Sequence, residues 1–480
     1  MDLRPYQGDA LQRTRMSYGV GYRAPILVAP TGAGKTVMAS AVISAASAKG
    51  KEIWFLAHRF ELVEQAARKL ATCGISHRII APTPSITSIK INQFRELGRS
   101  WVDARSNVSV GTIQTVSRRL DGTYKEPDLI IIDECHLSIA ASYQKVVDAH
   151  PNAMLLGLTA TPTRLDGKGL GKHCGGLYDD LILLCEPQYL VDEGFLVEPR
   201  IFSSSQQIDL SGVKTVMGDF DKKELESRVD KPSLIGDAVD HYRKHAHGRP
   251  AIAFCVSVKH AEHVAAEFRA AGYKAVAVSG ESDPEERSKA IAGLATGDVE
   301  IVCNCSLYIE GLDQPCISCV LLLTPTESVT RYLQSVGRGL RTYPGKTDCI
   351  VLDHAGNVHR HGFPTDTREW TLNGKQKRGR KKEEQQEQEA KVMTCEKCFA
   401  IYKPALICPV CGHAHEIKER KLVQADGELI ELERQREIRE KKKEVGRAQT
   451  FEQLLALEKA RGYKPGWAAH VWLSRMRRAG

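Results

Sequence analysis

The octapeptide APTGAGKT (29–36) narrows most sharply what this chain can fold into. It stands between an apolar run, APILVA (24–29), and a small, apolar, helix-compatible stretch from Thr36 to Ala48. That order predicts a buried strand, a tight glycine turn and a helix N-terminus. Such a turn wraps phosphates with backbone N–H groups, and the helix end favours negative charge. Gly32 and Gly34, with Ala33 between them, let the backbone approach a ligand closely. Lys35 is expected to reach the β- and γ-phosphates of ATP, and Thr36 to ligate Mg²⁺. The strict pattern opens on glycine, where this chain has Ala29.

The same alternation runs on through the chain. EIWFLA (52–57), VSVGTIQTV (108–116), DLIIIDE (128–134) and AMLLGLTAT (153–161) read as further strands, with helical stretches such as ELVEQAARKL between them. Strands alternating with helices imply a parallel sheet covered on both faces, and an unbroken run such as LIII suits a strand buried on both sides. The pattern returns in AIAFCVSV (251–258), AVAVSG (275–280), EIVCNC (300–305), CVLLLT (319–324) and CIVLD (349–353). The fold class is therefore α/β, with two parallel-sheet domains in tandem. We place the first at 1–162, a Gly-rich irregular connector at 163–200, and the second at 201–374.

DECH (133–136) follows the LIII strand. An acid at a strand end beside the phosphate loop can hold Mg²⁺, and this role falls to Asp133. Glu134 is then the general base for an attacking water.

Four motifs in this order, APTGAGKT, DECH, TAT (159–161) and QSVGRGLR (334–341), resemble those of superfamily 2 helicases of the DExH type. They cover roughly residues 3–341, and the two domains then match that superfamily's RecA-like pair. LRPYQ (3–7), TPTES…QSVGRGLR (324–341), PGKTDCIVLDHAGN (344–357) and a cysteine module beyond resemble the RadD-like DNA repair helicases in particular.

The resemblance implies further roles. Gln7 would read the adenine edge, and Asp313 of EGLDQP (310–315) would touch the ribose. Gln334, Arg338 and Arg341 would face the γ-phosphate from the second domain. Thr159, Ala160 and Thr161 would couple ATP turnover to movement. His58, Arg59, Thr112, Gln114, Ser257 and Ser279 would lie along the nucleic-acid backbone. Cys135 departs from the commoner Ala, a residue of similar size. The resemblance also implies nucleic acid, DNA ahead of RNA, as partner, and repair or replication proteins such as single-stranded DNA-binding protein as candidates. An RNA helicase, or the motor subunit of a restriction or remodelling complex, is the alternative.

Cys395, Cys398, Cys408 and Cys411 form CxxC, nine residues, CxxC. Four thiolates at this spacing suit a structural tetrahedral Zn²⁺. A redox dithiol or an iron–sulfur site is the alternative. Cys303, Cys305, Cys316 and Cys319 read instead as small buried hydrophobes of two strands.

Charge separates the body from the tail. Residues 375–480 carry 25 Lys/Arg against 16 Asp/Glu, +9, while 1–374 stand at −1. A basic C-terminal quarter favours a polyanionic partner. Within it we expect a charged linker at 375–393, a zinc module at 394–415 and a basic helical region at 416–480. Tyr463, Trp467 and Trp472 either stack on unpaired bases or build a small helical core. No apolar run approaches the ~18–20 residues that span a bilayer. The start, MDLRPYQGDA, lacks a basic-then-apolar signal pattern. The expected setting is the cytoplasm, at the nucleoid or, for a viral protein, in the host.

Overall fold

The structure is a computed structural model. It describes residues 3–122, 124–164, 166–203, 208, 210–216, 218–374, 392–414, 450–461, 466–469 and 471–472. The first sheet holds β1 (Pro25–Val28), β2 (Ile53–Ala57), β3 (Arg78–Ile80), β4 (Val108–Thr112), β5 (Leu129–Asp133), β6 (Met154–Thr159) and β7 (Asp180–Leu183). Its order is β3-β4-β2-β5-β6-β1-β7, and every pairing is parallel. Ile130 and Ile132 of β5 pack with Ile26, Val28 and Trp54 on one face. Ile131 packs with Leu27 and Phe55 on the other. Burial on both faces is why the LIII run does not alternate with polar residues.

The second sheet begins with β8 (Glu198–Ser203). After a short ribbon, β9 (Thr215–Val216) with β10 (Asp219–Phe220), it continues through β11 (Ala251–Phe254), β12 (Ala275–Val278), β13 (Ile301–Asn304), β14 (Cys319–Leu322) and β15 (Asp348–Asp353). It ends in a hairpin, β16 (Met393–Thr394) and β17 (Ala400–Tyr402), in the order β12-β13-β11-β14-β15-β8-β17-β16. The first six strands are parallel. The hairpin is antiparallel and pairs Ile401 with Ile201 of β8.

Three expectations change. Residues 163–200 are not merely an irregular connector, because they supply β7 to the first sheet and the start of β8 to the second. The strand expected over 108–116 stops at Thr112, whose Oγ1 accepts from the Thr115 N–H and opens a helix, Ile113–Val116. AIAFCVSV likewise ends early: Ser257 caps the helix Val258–Ala270. The hairpin of the cysteine module covers the β8 edge.

The segment 450–472 forms its own unit. Leu454 and Ala468 are buried there, with Leu457, Trp467, Val471 and Trp472 packed around them. The Phe451 and Trp472 rings lie 6.2 Å apart. For Trp467 and Trp472 this favours the small helical core over base stacking. Tyr463, the charged run 375–391 and the run 416–447 expected to be helical lie outside the described residues. Among the described residues, no helix is long and apolar enough to cross a membrane.

Candidate active site

The site is built at the carboxyl ends of the strands, where ligands bind open parallel sheets. β1 delivers the glycine turn. Gly34 has φ +86° and serves as N-cap of the helix Lys35–Ser47. A Cβ there would lie 2.6 Å from Gln7 Nε2, so only glycine fits both the backbone and the space. Gln7 Nε2 donates to the Ala33 carbonyl at 3.0 Å, and its Oε1 accepts from Arg4 N–H at 3.0 Å. Tyr6 OH reaches the same carbonyl at 3.3 Å. Tyr6 packs beside Tyr189 and Phe195, and Arg4 lies over the Phe195 ring. The sequence reading missed this aromatic box, which hides in the segment taken for a connector.

β5 delivers the acidic pair. Lys35 Nζ stands 2.8 Å from Glu134 Oε1, both largely buried. Burial alone would raise the Glu134 carboxyl, but the Lys35 charge and the His136 hydrogen bond hold it well below the usual range. Burial and the Glu134 charge push Asp133 up to about 6. Glu134 adopts φ +47°, rare for a side chain with a Cβ and a form of strain found at functional sites. Cys135 is fully buried, its Sγ against the position a Cβ on Gly157 would take. His136 Nδ1 sits 3.1 Å from Thr159 Oγ1 and 3.4 Å from Glu134 Oε2. Thr159 Oγ1 in turn accepts from the Thr161 N–H at 3.1 Å, and Ala160 is buried between them.

The second sheet completes the cleft. Gln334 Nε2 donates to Glu134 Oε2 at 3.4 Å. A Cβ on Gly337 would lie 2.5 Å from Thr31 Cγ2, so the two halves meet closely. Arg341 donates to the Leu312 carbonyl at 2.8 Å and to Asp313 Oδ1 at 2.7 Å. Arg338 is held differently. Its guanidinium donates to the Ile309 carbonyl at 3.0 and 2.6 Å and to the Leu312 carbonyl at 2.7 Å. Leu196 bridges to Arg341 through backbone pairing, with its side chain against Gly32. Nothing in the sequence periodicity marked Leu196 or Glu310, whose part is described below.

The family described as "Type III restriction enzyme, res subunit" matches residues 1–164, and "Helicase conserved C-terminal domain" matches residues 230–343. A 51.5 kDa protein of Lactococcus phage (isolate 7-9) is 31% identical over 416 residues, covering 85% of this chain and 83% of that protein. The chain belongs to the superfamily 2 helicases. Among other relatives is the Schizosaccharomyces pombe protein irc3, named as a mitochondrial ATP-dependent helicase. It is 28% identical over 76% of this chain, which spans 59% of that protein. A solved fragment named as an HsdR subunit of a type I restriction enzyme from Vibrio vulnificus shares the fold. Its TM-score is 0.56 at 21% identity, covering 75% of this chain and 67% of that one. This superfamily 2 helicase is thus an ATP-using enzyme that acts on nucleic acid.

The helicase's candidate backbone contacts fall into three groups. Arg59 and Gln114 are exposed at the ends of the paired strands β2 and β4. Thr112, Ser257 and Ser279 use their hydroxyls in caps and turns, Ser279 Oγ accepting from the Glu281 N–H. His58 turns to the seam, its Nε2 2.6 Å from Glu310 Oε2. The four module cysteines converge, their sulfurs all within 4.8 Å of one another. Cys303, Cys305, Cys316 and Cys319 join no such group among the described residues.

Proposed function

We propose that this superfamily 2 enzyme is an ATP-dependent DNA helicase or translocase of the RadD-like kind, working in repair, recombination or replication. The convergence of Lys35, Glu134, Gln334 and Arg341 from two sheets carries the reading. Lys35 and Glu134 neutralise one another in a buried pair. An incoming triphosphate competes for Lys35, and Glu134 is then available to take a proton from water. Arg341, held by the Leu312 carbonyl and Asp313, would exchange these partners for the developing phosphoryl charge when the halves close. Thr36 and Asp133 would hold Mg²⁺, which offsets phosphate charge; a cation beside Asp133 also relieves the burial that raises its carboxyl.

Zn²⁺ fits the cysteine module. Four sulfurs at about 2.3 Å from a tetrahedral ion stand about 3.8 Å apart. The Cys395–Cys411 and Cys398–Cys408 sulfur pairs lie at 3.6 and 3.7 Å. The same reading divides the chain into motor domains at 1–162 and 201–374, joined by 163–200, with the zinc module at 394–415 attached to the second. The phage relative supports a viral setting in the host cytoplasm. The match to a restriction-enzyme subunit favours a second reading, a motor that moves on DNA without separating strands.

An ATPase assay with single-stranded DNA, duplex DNA, forked DNA and RNA as activators tests the reading. Strongest stimulation by DNA supports it, and strongest stimulation by RNA overturns the DNA assignment. DNA-stimulated turnover without release of a labelled fork strand selects the motor reading.

A further inference from the structure

Glu310 lies in the loop after β13, between Ile309 and Leu312, whose carbonyls hold Arg338 and Arg341. Its carboxylate points out of its own domain. Oε2 stands 2.6 Å from His58 Nε2, and Oε1 stands 3.9 Å from His136 Nε2. The three side chains are 15%, 15% and 5% exposed. His58 Nδ1 has no partner among the described residues, so Nε2 carries that ring's interaction. Burial alone would raise the Glu310 carboxyl, yet the His58 hydrogen bond and charge hold it below the usual carboxylate range.

The two histidines report on different things. His58 closes β2 next to the exposed Arg59, on the edge where backbone contacts gather. His136 touches Glu134 and Thr159. One carboxylate of the second domain therefore grips the nucleic-acid edge of the first with one oxygen and approaches the neighbourhood of the general base with the other. We propose that Glu310 is a positioning residue that transmits nucleic-acid occupancy at the β2 edge to Glu134 and to the arginine-bearing loop. Glu310 acts through the histidines it contacts, His58 and His136. A shift of the β2 end by a bound strand pulls on Glu310, and Ile309 and Leu312 move with it because they flank it in the same loop. Both arginines follow, since those carbonyls hold them. Coupling of this kind is a free-energy difference between sites, typically worth about 5–150-fold.

The proposal rests on the nucleic-acid-stimulated ATPase reading above, and the experiment keeps the two apart. Basal and stimulated turnover are measured on the full chain for wild type, Glu310→Gln and His58→Asn, with oligodeoxythymidine and a forked duplex as activators. Wild type without stimulation by either overturns the functional reading, and this proposal with it, before any variant is consulted. For Glu310→Gln we expect the ratio of stimulated to basal turnover to fall about tenfold. Its basal rate and ATP affinity should change less than about twofold. His58→Asn cuts the same contact from the other side and must lower the ratio as far, with the double variant no worse than either single one. This arm decides the matter should Glu310→Gln not fold. A wild-type ratio in a folded variant, an equal loss of basal and stimulated rates, or additive losses in the double variant overturns the proposal.

Discussion

The two domains repeat one sheet architecture but treat charge in opposite ways. The first concentrates titratable groups at its strand ends: Lys35, Asp133, Glu134 and His136 lie within a few residues of β1 and β5. The second supplies guanidinium groups and ties them to backbone carbonyls of a single loop. Each half also pairs its own charges, Lys35 with Glu134 and Arg341 with Asp313. Lys35 and Arg341 therefore keep a partner when the halves part, whereas the largely buried Glu310–His58 pair spans the seam and is broken. On the proposed reading, the first domain carries the chemistry and the second supplies what arrives on closure.

The largest effect that could break this contrast concerns the two arginines. Arg341→Ala should lower hydrolysis by about 10³–10⁵ while nucleotide binding and melting temperature hold. Arg338→Ala should lower the melting temperature as well, because it leaves the Ile309 carbonyl without its side-chain donor. Single-turnover hydrolysis with calorimetric melting separates them. Identical behaviour of the two variants would erase the distinction between a mobile finger and a loop anchor.

Next in size is Glu134→Gln, expected to cut turnover by about 10²–10⁴ with ATP binding retained. Near-wild-type hydrolysis under DNA stimulation would remove Glu134 from the base role.

The sequence made the first domain more legible than the second for a physical reason. A phosphate loop and an acid pair are local: Gly32, Gly34, Lys35, Asp133 and Glu134 each sit beside the strand that aims them. Glu310, Leu196 and the Tyr6 box act through contacts between residues more than a hundred positions apart, which no periodicity records. Strand β7 escaped because its neighbours are Gly-rich, and β8 because the run RIFS is short; only pairing makes LIL and RIFS into strands. The clustering of the four module cysteines was legible from spacing, but the pairing of their hairpin with β8 was not.

That pairing sharpens the comparison at its far edge. One zinc per chain is expected by metal analysis, lost in Cys408→Ser. Because β17 covers β8, the loss should also lower amide protection along Glu198–Ser203 and leave the first sheet unchanged. Unchanged protection would show that the hairpin docks without its metal. Cutting after Gly374 would strip this cover, so the basic tail is better tested by a stop after Ala414. Binding by that protein should weaken and its salt dependence flatten, since each lost phosphate contact removes about 0.9 from the log–log slope on duplex DNA. Equal affinity and slope would leave the charge beyond Ala414 without a part in binding.

The smallest effect distinguishes the sheets by acid. The second domain buries neutral histidines: burial lowers His354 to about 3, and His260 and His361 to about 4. Their ordinary value is near 6.5. A lowered folded value means the unfolded chain takes protons that the folded chain refuses. Stability is therefore complete above about pH 6.5 and falls as pH drops from there toward about 4. In the first domain His77 is lowered the same way, by burial, so the difference between the sheets is one of number. Hydrogen exchange at pH 7.5 and 5.5, corrected for intrinsic rates, should lose protection in β11, β14 and β15 before β2 and β5. His354→Gln removes one titrating group and should reduce the loss. Parallel loss in both sheets, or an unchanged loss in His354→Gln, would mean that carboxylates rather than buried histidines set the acid limit of this fold.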